Sequence, residues 1–260
     1  MNDSDSPAAQ VLTRADGARI AYHRTPGASP GLMFLGGFAS DMDGTKALAL
    51  EAYARQHGRA FLRFDYQGHG QSSGRFADGT IGQWRDDALS VLDQLTEGPQ
   101  VLVGSSMGGW IMLLAALARP ERVAGLVGIA AAPDFTDALL WQRLTAQQQR
   151  EVEDNGVWQM PSDYGDPVPL SHQLFQEGRK HKLLGRPIQI ACPVRLLQGT
   201  ADAEVPADWA VKLQHALASD DVEATLVKDA DHRLSTERDL QRLYDTLDRL
   251  FRDLEQDAER

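Results

Sequence analysis

Strand-length apolar runs alternate with helix-length amphipathic stretches along most of this chain. GLMFL, AFLRF, VLVG, VAGLVGIA, VRLLQG and EATLV are short, largely unbroken apolar segments, as expected of strands covered on both faces of a parallel sheet. Between them the period lengthens to that of helices, at about Thr45 to His57, Thr80 to Leu95, Met107 to Ala118, Ala207 to Leu217 and Thr236 to Leu254. Ahead of these, QVLTRADGARIAYHRT places an Asp-Gly turn between two alternating segments and predicts an antiparallel hairpin at the sheet edge. Arg119-Pro120 closes the third helix, because proline lacks an amide hydrogen and pushes the residue before it out of helical geometry.

The alternation stops between Pro133 and about Cys192, where Gln, Trp, Pro and mixed charge become frequent. The pattern thus predicts a disordered start over residues 1–9, an α/β core over residues 10–132 and 193–256, and a lid insertion over residues 133–192. An insertion at that point covers the carboxyl ends of the strands, where open α/β sheets bind ligands. Phe135, Leu139, Leu140, Trp141 and Leu144 recur at helical spacing, and Val157, Trp158 and Met160 form a second apolar cluster, so the lid is expected to be helical. Trp141, Trp158 and Met160 are its candidate substrate contacts, with docking of the insertion onto its own domain as the alternative role.

Charge and cysteine content narrow the function classes. Asp and Glu number 37 against 26 Lys and Arg, with no dense basic block, so nucleic acid is not an expected partner. The single cysteine, Cys192, excludes an internal disulfide and a thiolate metal cage. No apolar run approaches the roughly 20 residues of a membrane-spanning helix, and no stable membrane anchor is expected. The opening MNDSDSPAAQ has no basic residue and no apolar segment, which leads to the expectation of a cytoplasmic protein.

The candidate chemistry lies in G-x-S-x-G, the pattern of a nucleophile elbow that projects a serine from a sharp strand-to-helix turn. It occurs three times, as GASPG around Ser29, GQSSG around Ser72 and GSSMG around Ser106. Ser29 fails because the residue after the nucleophile must donate its amide hydrogen to an oxyanion, and Pro30 has none. Ser72 follows DYQGH and precedes RFADGT, which is loop chemistry on both sides. Ser106 alone stands between a buried-type strand and a strong helix, whose N-terminus favours developing negative charge. The Met107 amide is one oxyanion donor, and Phe38, in the GGFAS loop after GLMFL, supplies the candidate second amide.

A serine hydroxyl needs a base, and the expected chain order is Ser, then Asp or Glu, then His. Of seven histidines, three precede Ser106, two lie in the insertion, and His215 is inside a surface helix. His232 follows the last strand in the loop KDADHR, where the base belongs. Asp202, in QGTADAEVP directly after VRLLQG, is the favoured partner for its ring; Asp134, after VGIAAAP, is the rival. Asp231 reads as loop structure.

These segments resemble the α/β-hydrolase superfamily, and more narrowly its small branch of palmitoyl-protein thioesterases and acyl-glucuronide esterases. The resemblance runs from about Leu32 to Asp248 through DGTKALALE, RFDYQGHGQSSG, LVGSSMGGW, the insertion motif GVWQMPSDY, and DHR. It implies the α/β-hydrolase fold: a mostly parallel sheet with an antiparallel N-terminal hairpin, helices on both faces and a lid insertion. It further implies a serine esterase or thioesterase that works through an acyl-enzyme, with Ser106, Asp202 and His232 on the catalytic positions. No metal or organic cofactor is expected, and the partner is a small-molecule acyl ester or thioester or an S-acylated protein. Where the superfamily commonly has His-Gly before the oxyanion residue, this chain has Gly36-Gly37. The basic stretch GRKHK is a candidate contact for an anionic leaving group, with a solvated face as the alternative. A peptidase, an acyltransferase and a non-catalytic ligand receptor on the same fold remain the alternative functions.

Overall fold

A computed structural model describes residues 8–162 and 166–258. Eight strands form one sheet: β1 (Gln10–Thr13), β2 (Arg19–Thr25), β3 (Ala28–Leu35), β4 (Arg59–Phe64), β5 (Gln100–Ser105), β6 (Val123–Ile129), and two strands that follow the insertion. Those two are β9 (Val194–Gly199) and β10 (Val222–Val227), since β7 (Val157–Met160) and β8 (Val168–Ser171) make a separate ribbon. The spatial order is β1-β2-β4-β3-β5-β6-β9-β10, antiparallel only where β2 meets β1 and β4.

Strand residues alternate between two apolar layers, as the period of two requires. Met33, Leu35 and Leu102 face α2 (Ile81–Leu95), α3 (Met107–Ala118) and α6 (Asp208–Ala216). Leu32, Phe34, Val101 and Val103 face α1 (Thr45–Gln56) and α7 (Glu237–Ala258). Helix α3 is buried all round from Met107 to Ala116, which accounts for the near absence of polar residues in MGGWIMLLAALA.

The segment between β6 and β9 departs from the expected helical lid. A π-helical turn (Thr136–Leu140) and a 3-10 turn (Trp141–Arg143) replace the first helix, and α4 (Ala146–Asn155) follows with Thr145 and Gln148 in a reciprocal cap. Gly156, at φ 78°, ends α4 in the left-handed conformation. The chain then turns back as the antiparallel pair β7 and β8 before α5 (His172–Gly178). Val157, Trp158 and Met160 are thus strand residues, as their β-branched and aromatic character suits once Gly156 has stopped the helix. Asp163 and Tyr164 of GVWQMPSDY, and residues 1–7 of the expected disordered start, lie outside the described residues.

Side chains of this segment join the core on the α2 and α3 side: Phe135, Leu139, Val152, Leu170, Leu174 and Phe175 are all buried there. Trp110 Nε1 donates to the His181 carbonyl at 3.1 Å, and Trp209 Nε1 donates to that of Pro133 at 3.1 Å. These bonds, together with the shared apolar contacts, make the segment a continuation of the core.

Candidate active site

Strand β5 runs straight into α3 through Ser106, whose backbone is at φ 53° and ψ −118°, a conformation that non-glycine residues adopt only under strain. Crowding enforces it. A Cβ on Gly104 would lie 2.4 Å from the Gly108 carbonyl oxygen, and one on Gly108 would lie 2.0 Å from that of Leu35. The two glycines of GSSMG therefore let strand, turn and helix pack in contact, and the side chain between them is forced outward.

His232 arrives in the loop after β10 and bridges two partners. Its Nε2 lies 3.0 Å from Ser106 Oγ, and its Nδ1 lies 2.8 Å from Asp202 Oδ2. The Asp202 side chain has no exposed surface. Its other oxygen accepts the Glu204 and Val205 amides at 2.9 and 2.8 Å, and Gln198 Nε2 donates to Oδ2 at 2.9 Å. Burial alone would raise the Asp202 pKa, but the hydrogen bond and charge of His232 together with the Val205 and Glu204 amides more than offset it and hold the carboxyl below its usual range. The acid is thus ionised, oriented and dry.

The rival acid is engaged elsewhere. Asp134, 2% exposed and at φ 61°, accepts the Leu183 and Leu184 amides at 2.7 and 2.9 Å and so closes the far end of the insertion onto β6. Asp231 accepts the Arg233 and Leu234 amides, each at 3.1 Å, the loop role expected of it. Ser72 is also structural: its Oγ donates to the Asp65 carbonyl at 2.6 Å and accepts the Ala21 amide at 2.8 Å.

The GGFAS loop lies against the elbow, since a Cβ on Gly37 would sit 3.6 Å from Ser106 Cβ. Among the described residues neither the Phe38 nor the Met107 amide donates to a carbonyl or side chain of the protein. The Phe38 ring meets Phe76, Trp84 and Phe135 at centroid distances of 4.9, 5.9 and 5.5 Å, which ties the loop to α2 and to the insertion. Asp65 anchors the loop's other end by accepting the Met42 amide at 2.7 Å. Sequence reading missed this role of Asp65, although its place at the end of AFLRF was the available signal.

The insertion residues divide differently. Trp141 packs edge-on against Phe175 at 4.9 Å, with the Arg179 guanidinium 5.2 Å from its ring. Trp158 and Met160 pack half-buried on the core, and among the described residues none of the three shares a hydrogen bond or ring contact with Ser106, Asp202 or His232. The basic stretch is paired internally: Arg179 and Lys182 both donate to Asp137, at 3.0 and 2.9 Å, and His181 contacts Glu177. Two residues near His232 were not anticipated. Lys46 Nζ donates to the Arg233 carbonyl at 2.6 Å, and Glu204 Oε2 lies 3.3 Å from His232 Nε2.

Residues 31–161 match the family model described as serine aminopeptidase, S33. The chain is 44% identical over 244 residues to the mitochondrial palmitoyl-protein thioesterase ABHD10 of Bos taurus, covering 92% of this chain and 79% of the relative. It is 43% identical over 242 residues to that of Homo sapiens, with the same coverage of each. The solved structure of α/β hydrolase domain-containing protein 10 from mouse superposes with a TM-score of 0.88 at 41% identity, over 95% of this chain and all of that one. The chain belongs to the α/β-hydrolases, in the family of the ABHD10 palmitoyl-protein thioesterases. The fold expected from the sequence is the observed one, and the chain is a hydrolase by family. The cytoplasmic expectation is corrected, because these relatives are named as mitochondrial proteins. No helix among the described residues is long and apolar enough to cross a membrane.

Proposed function

We propose that the protein hydrolyses acyl thioesters and esters, S-acylated proteins among them, through an acyl-enzyme on Ser106. The observation that carries the reading is the unbroken hydrogen-bonded path from Ser106 Oγ through His232 to buried, ionised Asp202.

His232 Nε2 takes the serine proton as Oγ bonds to the acyl carbon. The carbonyl oxygen becomes an oxyanion and accepts the Phe38 and Met107 amide hydrogens, with the N-terminus of α3 adding a favourable field. Collapse breaks the carbon–sulfur or carbon–oxygen bond, and Nε2 returns its proton to the departing atom. Water repeats the sequence on the acyl-enzyme and releases a carboxylic acid. Asp202 holds the Nδ1–H tautomer throughout and stabilises the imidazolium. The named side chains and amides handle every proton and charge, so the cycle invokes no cofactor.

We assign the segment over residues 133–192 the role of a roof for the acyl chain. The contact of Phe135 with Phe38 supports this, because it brings an apolar insertion side chain against the oxyanion loop. The family model's description leaves an aminopeptidase as a second reading. Comparing kcat/KM for a medium-chain acyl thioester with that for an aminoacyl anilide decides between them. Thioester preference by about a hundredfold or more is expected; preference for the anilide would overturn the proposal.

A further inference from the structure

A second carboxylate stands at the reacting nitrogen. Glu204, two residues beyond Asp202, brings Oε2 to 3.3 Å from His232 Nε2, the same nitrogen that lies 3.0 Å from Ser106 Oγ. Its side chain is 66% exposed, whereas the His232 ring is 16% exposed. Arg143 of the insertion donates to the neighbouring Ala203 carbonyl at 3.3 Å and holds this loop.

In the resting tautomer Nδ1 gives its hydrogen to Asp202, and Nε2 turns a lone pair toward the serine hydroxyl. A carboxylate beside that lone pair gains no hydrogen bond. The position acquires a consequence once Nε2 is protonated, because that proton must pass to the departing sulfur or oxygen. The leaving atom has to enter the space around Nε2 that Glu204 borders. Whatever is attached to it then passes within a few ångströms of a negative charge.

We propose that Glu204 is a specificity-determining residue for the leaving group, disfavouring one that carries negative charge near the scissile bond and favouring one that is cationic. The inference rests on the acyl-hydrolase reading above. For an S-acylated peptide it selects an acylated cysteine flanked by lysine or arginine over one flanked by acidic residues. Arg179 and Lys182, the cations suggested for an anionic leaving group, are paired with Asp137. One charge interacting across several ångströms at an exposed boundary changes kcat/KM by about fivefold at low salt and less at high salt.

The test uses the full chain as wild type, Glu204→Gln and Glu204→Lys. Matched octanoyl aryl esters carry a carboxylate, a carboxamide or a trimethylammonium group on the leaving phenol. A parallel pair of S-octanoyl cysteine peptides carries lysine or glutamate flanks. Comparing variants by their cation-to-anion ratio of kcat/KM cancels the intrinsic reactivity of each phenol. Glu204→Gln is expected to lower that ratio by about fivefold and Glu204→Lys to lower it further, while added salt compresses the wild-type ratio. Asp245→Asn, an exposed carboxylate on α7, is expected to leave the ratio alone. An identical ratio in wild type and Glu204→Gln overturns the proposal. A wild type that neither turns over nor labels at Ser106 with a fluorophosphonate ends the acyl-hydrolase reading and this one with it, whereas an active, labelled enzyme with a flat ratio removes only the role of Glu204.

Discussion

Asp202 and His232, 30 residues apart in sequence, meet through a 2.8 Å bond from ring Nδ1 to a carboxylate with no solvent exposure. The bond does two things at once: it fixes which nitrogen faces Ser106, and it lets the carboxylate remain ionised despite burial. Asp202→Asn preserves size and shape but replaces the charge with an amide that can present N–H to the ring and favour the other tautomer. We expect kcat to fall by roughly 10³–10⁴ with KM changed by less than about threefold. Steady-state and burst kinetics check this, and a loss below about tenfold would remove Asp202 from the proposed mechanism.

Ser106 stores strain as well as reactivity. At φ 53° and ψ −118° a Cβ costs about 1–3 kcal/mol, partly offset in a glycine variant by glycine's greater entropy when unfolded. Ser106→Ala and Ser106→Gly should both lose about 10⁴-fold or more in kcat. They should differ in stability, with Ser106→Gly about 1 kcal/mol the more stable, or roughly 2–4 °C in Tm. Urea titration and thermal melts measure the difference; equal stability would mean that the turn does not strain its central residue.

That elbow was legible because strand, turn and helix are contiguous in sequence and each carries its own signal. The same holds for His232, the histidine that follows the last parallel strand. Loop side chains were legible only where position alone restricts them. Asp134 and Asp202 both follow a strand, and what separates them is the far partner each meets, Leu183 and Leu184 in one case and His232 in the other. The insertion was misjudged for a related reason. Its elements are short, from 3 residues at Trp141–Arg143 to 10 in α4, and their conformation follows contacts with α2 and α3 more than local period. A π-helical turn and a four-residue strand leave no periodicity to read.

Asp134→Asn separates a structural acid from a catalytic one. An amide at this position keeps one acceptor and turns an N–H toward the Leu183 or Leu184 donor, while asparagine tolerates the φ of 61°. The variant should lose about 1–3 kcal/mol of stability, yet keep kcat within a few-fold at a temperature where it is folded. Denaturant unfolding alongside turnover tests this. A kcat loss comparable to that of Asp202→Asn would reinstate Asp134 as the acid.

His69 makes the fold acid-sensitive without entering the proposed chemistry. It is 4% exposed, lies 5.0 and 5.2 Å from the Phe76 and Trp84 rings, and its Nε2 has no hydrogen-bond partner among the described residues. Burial pulls its pKa from 6.5 down to about 4, against a weak opposing bond to the Gln67 carbonyl. Above pH 6.5 the ring is neutral in both folded and unfolded chains and costs nothing; between 6.5 and about 4 the unfolded chain alone takes up the proton, so stability falls as pH drops through that window. From pH 7 to 5 this one group should remove about 2 kcal/mol. His69→Phe keeps the edge-on aromatic packing and has no proton to bind, so urea unfolding of the variant should lose about 2 kcal/mol less than wild type over the same interval. Identical losses in the two proteins would show that the ring is protonated inside the folded state, and would place the acid sensitivity with other groups.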